Sequence, residues 1–209
     1  SLLSGLTYTL QLQAAYAFSP TVFSKATVTI VVNRPPSGGT LSVTPAEGTA
    51  MTTHFSMLTA YWTDDLSDYP LTYSFNYYVL AAVQLFIAKP ESQVPYVSSA
   101  VLAQGLAKLD YSVTCVVHAF DIYRGTANIT RGVVVNPAAE TSAIATAVTA
   151  MLEDAFLTDD ATLTNQAVAA ALGAVNSVDC TGVPTTCASL NRVECSTTTN
   201  TCGPCLAGY

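Results

Sequence analysis

Positive charge is scarce. Seven Lys plus Arg stand against 14 Asp plus Glu, for a net charge of −7, so no basic stripe is available to neutralise phosphates. A nucleic-acid partner is excluded on that ground. Histidine is rarer still: His54 and His118 are the only two, and both fall in strand-like stretches where neutral imidazoles are ordinary. There is no GxSxG, no HExxH and no phosphate-cradling glycine loop. No catalytic, cofactor-binding or metal-ligating set emerges, and the chain reads as non-enzymatic and without a cofactor. Long apolar runs are missing too. The longest, Tyr78 to Ala88, contains Gln84 and falls well short of the roughly 20 residues that cross a bilayer, so this segment is not expected to span a membrane. Residues 1–6 (SLLSGL) have neither the basic start nor the apolar core of a secretion signal.

What is present favours β-structure. Half the residues are hydrophobic and only 10% are charged, a balance suited to half-buried strands. Tyr8 to Ala14 alternates apolar and polar residues and Ala26 to Val32 is β-branched, so the two read as paired strands across a loop containing Pro20. Asn33-Arg34-Pro35-Pro36-Ser37-Gly38-Gly39 then breaks strand and helix alike. Further strands are expected at Thr40 to Thr44, Thr53 to Trp62, Leu71 to Val79, Gln84 to Ala88, Tyr111 to Phe120 and Asn128 to Val135. Short strands separated by turn signals indicate a sandwich.

An internal repeat sharpens this. Tyr8-x-Leu10-x-Leu12-x-Ala14 is matched by Tyr111-x-Val113-x-Cys115-x-Val117, and Val31-Val32-Asn33 by Val134-Val135-Asn136, both at one offset of 103 residues. That is the size of one immunoglobulin-like domain. Residues 1–34 are therefore expected to be the closing strands of a preceding copy, and residues 35–137 a complete Ig-like β-sandwich. Tyr8 and Tyr111 occupy the place of a tyrosine corner, whose hydroxyl bonds to nearby backbone. Tyr73, Phe75, Tyr77 and Val79 alternate along one strand face as core residues, and Cys115 faces inward as a small buried hydrophobe.

Residues 138–178 turn Ala-rich with helical spacing. Ile144, Val148, Met151, Leu152 and Ala155 share one face, and Leu163, Ala167, Val168, Ala171 and Val175 another. A helical hairpin is expected, broken at Leu157-Thr158-Asp159-Asp160, with Asp160 capping the second helix. Its narrow apolar stripes suggest docking against a neighbour. Residues 179–209 lose all periodicity and hold Cys180, Cys187, Cys195, Cys202 and Cys205, which read as the disulfide framework of an EGF-like, incomplete module in an oxidising, extracellular setting. Five cysteines cannot all pair among themselves. Cys202-Gly203-Pro204-Cys205 has the spacing of a thioredoxin-type redox pair, but no βαβ pattern surrounds it and three other cysteines compete.

Two surface features complete the inventory. Asp64, Asp65 and Asp68 have carboxylates spaced as a Ca²⁺ site needs, although turn residues are the simpler account and no EF-hand Gly and Glu accompany them. Asn128-Ile129-Thr130 is the only N-x-Ser/Thr sequon free of proline and marks Asn128 as a candidate glycosylation site.

The stretch Pro35-Pro36-Ser37-Gly38-Gly39-Thr40-Leu41-Ser42-Val43-Thr44-Pro45, followed by Trp62-Thr63-Asp64-Asp65 and Pro70-Leu71-Thr72-Tyr73-Ser74-Phe75, resembles the Ig-like repeats of the receptor-for-egg-jelly region found in polycystins. The likeness covers roughly residues 35–178. With the tail from Cys187 to Gly203, the order of modules is similar to large extracellular proteins of algae and related protists, including the mastigoneme proteins that form flagellar hairs. Related repeats often carry a cysteine near Thr59, facing Cys115; that cross-link is lost here. The resemblance implies a structural segment of a secreted filament or cell-surface protein, with copies of itself or other filament subunits as partners. The alternative it implies is a ligand-binding or adhesion ectodomain of a polycystin-like receptor or channel.

Overall fold

The computed structural model describes residues 2–138, 141–175, 180, 182–183, 186–195 and 198–208. The expected boundary at 178–179 and the side chains of Ile144 and Val175 lie outside what is described. The chain is mainly β, with a helical pair and a disulfide-bonded C-terminal region. It divides into two compact units.

The first unit comprises Ser1–Glu47, His54–Ala100 and Val113–Val133. It opens with a two-stranded antiparallel ribbon, β1 (Thr7–Tyr16) and β2 (Ser19–Val31). The expected loop around Pro20 is instead a tight turn at residues 17–18, and Pro20 lies within β2. A ribbon has an outer side with no ladder partner, so a residue without an N–H is tolerated there. Because side chains alternate, the register places Tyr8 opposite Ile30, Leu10 opposite Val28 and Leu12 opposite Ala26 on one face, with Thr9, Thr29, Gln11, Thr27, Gln13 and Lys25 on the other. The ribbon is amphipathic, yet its apolar face is open: Leu10 is 53% and Leu12 72% exposed.

The rest of this unit holds most of the expected sandwich, whose strand residues Gly48–Thr49, Val101, Ser112 and Val134–Asn136 fall in the second unit. One sheet is β3 (Thr40–Thr44), β5 (His54–Ala60) and β8 (Tyr96–Val101), ordered β3-β5-β8. The other contains β4 (Glu47–Thr49), β6 (Thr72–Tyr78), β7 (Phe86–Ser92), β9 (Ser112–Phe120) and β10 (Thr126–Asn136), ordered β4-β10-β9-β6-β7. This is the Ig arrangement, in which the first, second and a later strand form one sheet and the last two join the third. Alternation decides which side chains go inside. Phe55, Met57 and Thr59 of β5, Phe75 and Tyr77 of β6, and Val113, Cys115, Val117 and Ala119 of β9 are all buried. Tyr77 stacks on Phe86 with ring centroids 5.2 Å apart. The repeat offset aligns Leu10 with Val113 and Leu12 with Cys115, so the same pattern is fully buried in one copy and open in the other.

Gly39 is dictated by packing, since a Cβ there would lie 2.1 Å from the Trp62 ring. The Trp62 indole donates to Thr59 Oγ1 (2.6 Å), and Thr59 Oγ1 donates to the Thr40 carbonyl (2.7 Å).

The second unit comprises Gly48–Thr53, Val101–Ser112 and Val134–Tyr209. Leu102 and Ala103 are fully buried. Gly105 N–H donates to the Val135 carbonyl and Val135 N–H to the Tyr111 carbonyl, both at 2.9 Å. Gly105 is required because a Cβ would meet the Tyr111 carbonyl at 2.1 Å. Tyr111 is thus no tyrosine corner. Its main chain, at φ +55, makes the contacts, and its hydroxyl bonds no described backbone group. Tyr8 comes closer to that role, its hydroxyl accepting the Leu3 N–H at 2.8 Å.

The helical hairpin is α1 (Thr141–Thr158) and α2 (Ala161–Val175). Asp159 adopts φ +53 and Asp160 N–H returns to the Ala155 carbonyl (3.0 Å), the bond that closes a helix after a left-handed residue. Asp160 Oδ1 then accepts the N–H groups of Thr162 (2.8 Å) and Leu163 (3.1 Å), capping α2 as expected. Of the expected α1 face, Ala155 is buried and Val148, Met151 and Leu152 are half-buried. On α2 the buried face differs from the expectation: Val168 is exposed, and Gln166 is buried beside Ala167, Ala169 and Ala170, its Oε1 accepting the Val101 N–H (3.1 Å). A polar residue turns inward because a buried backbone donor needs a partner.

Candidate functional site

Three segments of the first unit meet through polar contacts: residues 33–34 before β3, the loop between β5 and β6, and the β9–β10 turn. Asp121 organises them. Its Oδ1 accepts the N–H groups of Tyr123 and Gly125, each at 2.8 Å, and its Oδ2 accepts the Asn33 amide at 2.7 Å. Gly125 is needed here, since a Cβ would stand 2.3 Å from Asp121 Oδ2. Ile122 N–H reaches the Asp68 carbonyl at 3.2 Å, tying the turn to the acidic loop.

In that loop the carboxylates of Asp64, Asp65 and Asp68 offer oxygens within 4.8 Å of one another. Asp65 is paired with the Arg34 guanidinium at 3.2 Å, and buried Asp68 accepts the Ser67 hydroxyl at 2.7 Å. Asp64 accepts the Asp65 N–H, and burial pushes its carboxyl above the ordinary carboxylate range, helped by the charges of Asp121, Asp68 and Asp65. Asp65, Asp68 and Asp121 each hold a loop contact, which is turn-fixing work. Asp121 escaped sequence reasoning. Its signal was the Asp-x-x-x-Gly spacing from Asp121 to Gly125, which suits a carboxylate collecting amides across a turn.

The two histidines are structural in their surroundings. His54 Nδ1 lies 2.6 Å from Ser99 Oγ at the surface. His118 is half-buried beside Asn76, and desolvation holds its imidazole below the usual pKa. The partner of His54 is a surface serine and that of His118 an amide, and no carboxylate is hydrogen-bonded to either ring among the described residues. Asn128 is exposed on β10.

The tail cysteines form crossed bridges, Cys180–Cys195 and Cys187–Cys202, each spanning 15 residues. In the chain-entropy view a loop of that length contributes about 3 kcal/mol. Cys202 is joined to Cys187, so Cys202 and Cys205 are not a redox pair. Cys205, expected within the disulfide set, carries a free and exposed thiol, the one left over from an odd number. Backbone bonds frame these bridges: Val193 N–H to the Pro204 carbonyl (2.9 Å) and Leu206 N–H to the Asn191 carbonyl (2.7 Å). Cys115 is free but buried, its thiol pushed up to about 12 by desolvation.

A family model described as the REJ domain matches residues 1–177. The chain belongs to the REJ domain family. The match starts well before residue 35, where the sequence resemblance was expected to open, and so takes in the β1–β2 ribbon; the crossed-disulfide tail lies outside it. REJ membership makes the chain an extracellular, polycystin-type ectodomain, and two disulfides suit an oxidising exterior. No curated protein matches the REJ chain. Among its described residues no helix is long and apolar enough to cross a membrane.

Proposed function

We propose that this REJ chain is a non-enzymatic structural segment of a secreted filament or cell-surface assembly of the flagellar-hair type. It associates with copies of itself or with other subunits through its β-modules, and its cysteine-rich, EGF-like tail serves as a stapled joint. One observation carries this reading: the apolar face of the β1–β2 ribbon. Leu10 and Leu12 with their partners Val28 and Ala26 form an exposed strip that continues into half-buried Tyr8 and Ile30, and an isolated two-stranded ribbon is marginal in water. Its match to the buried β9–β10 pattern supports reading it as a strand pair built to be covered, and in the assembly a neighbouring subunit's module covers it.

Electron microscopy of the parent protein tests the proposal. Extended assemblies are expected, and Leu12→Asp, which places a charge on the strip, is expected to shorten or abolish them. A parent protein that stays a dispersed monomer overturns it.

The family supports a second reading, an adhesion or ligand-binding ectodomain of a polycystin-like receptor or channel. That reading requires membrane-spanning segments in the parent polypeptide, which the filament reading does not.

A further inference from the structure

We propose that Asn128 carries an N-linked glycan and that this glycan guards the open edge of β10 against strand addition. The edge is a consequence of unequal strand lengths. β10 runs for 11 residues between β9 and β4, but β4 has only three. Ala50 N–H donates to the Asn136 carbonyl at 2.8 Å, which puts β4 at the far end of β10 from Asn128. The Thr126 end of β10 is therefore out of reach of a three-residue strand, and its outward backbone groups form a template for another chain.

The sequon sits on this stretch in a form that suits modification. Asn128 and Thr130 are both exposed and, two residues apart in a strand, point to the same face, whereas Ala127 and Ile129 between and beside them turn inward. The chain's own repeat supplies the argument for a guarding role. The 103-residue offset brings Asn128 into register with Lys25, exposed on β2 opposite Gln13. Lysine on an edge strand is a common device against unwanted pairing. One copy thus places a charge where the other places a sequon.

The donor is a polyprenyl-pyrophosphate-linked oligosaccharide of the secretory pathway. A bond forms between Asn128 Nδ2 and the anomeric carbon of the first sugar, while the bond from that carbon to the pyrophosphate oxygen breaks. Nδ2 gives up one proton and the lipid pyrophosphate leaves with the electron pair. The proposal relies on the extracellular setting and is independent of whether the parent forms filaments.

The test uses the parent protein secreted from eukaryotic cells. Peptide mapping after amidase release of glycans in ¹⁸O-water is expected to convert Asn128 to labelled Asp; recovery of the peptide with Asn128 unmodified overturns the site. Hydrogen exchange of the β10 amides then reads the edge. Fast exchange is expected at the alternate amides of residues 126–131 that point away from β9 in the native protein, dispersed or assembled. In Asn128→Gln and in Thr130→Ala, which keeps Asn128 but destroys the sequon, exchange should slow about tenfold or more as concentration rises, and Asn128→Lys should restore it. Unchanged exchange in both sequon variants overturns the guarding role, as does protection of these amides in native assemblies. A parent that never assembles removes the filament reading and leaves this one intact.

Discussion

Thr59 is buried in the sandwich, and its hydroxyl does two jobs at once. It accepts the Trp62 indole proton and donates to the Thr40 carbonyl, in a position 1% exposed. Valine has the right shape but neither function. Thr59→Val is expected to destabilise the sandwich by about 1–3 kcal/mol, because a buried indole N–H is left unpaired, seen as a lower denaturation midpoint with an unchanged slope. An unaltered midpoint would mean that water reaches the indole. The same scale shows what a sequence conceals. Asp64, Asp65 and Asp68 announce themselves by proximity in the chain, whereas Asp121 joins them only through the fold and Asn33 only through Asp121.

Among the elements, α2 depends most visibly on one residue. With Asp160→Ala the amides of Thr162 and Leu163 lose their acceptor, and a loss of about 1 kcal/mol is expected. It should appear as faster hydrogen exchange at those two amides with the β-sheet signal unchanged. The strands read from alternation came out close to place: β3 coincides with Thr40 to Thr44, and β5, β6, β9 and β10 shift by a few residues. Two strands were invisible. β4 is Glu-Gly-Thr, too short to show a period, and β8 is interrupted by Ser98-Ser99 with an irregular burial pattern. β7 extends to Ser92 through Pro90, beyond the expected end at Ala88, because it lies at the edge of its sheet where a missing N–H costs no ladder bond. Gln166 was hidden for the opposite reason: its buried position answers to the Val101 amide, a partner far away in sequence.

For the molecule as a whole, chemistry at the sulfurs separates surface from interior. Alkylation of the native, non-reduced protein is expected to label Cys205 alone, with Cys115 reacting only on unfolding, since thiolate is the reactive form and burial suppresses it. Mass spectrometry of that sample should also return the Cys180–Cys195 and Cys187–Cys202 peptides. Rapid labelling of Cys115 would mean that the sandwich opens readily, and a blocked Cys205 would reveal a bridge to a cysteine elsewhere. The crossed bridges also govern how the tail would carry a load. A pull between Cys180 and Cys202 has two covalent routes, through the Cys180–Cys195 bridge and on to Cys202, or along the chain to Cys187 and across. Each route contains about seven residues and one bridge, so the segment can lengthen to roughly 30 Å and not the roughly 75 Å of the uncrossed chain. The tail is in effect a short double tether, stiff in tension and sharing force between two strands.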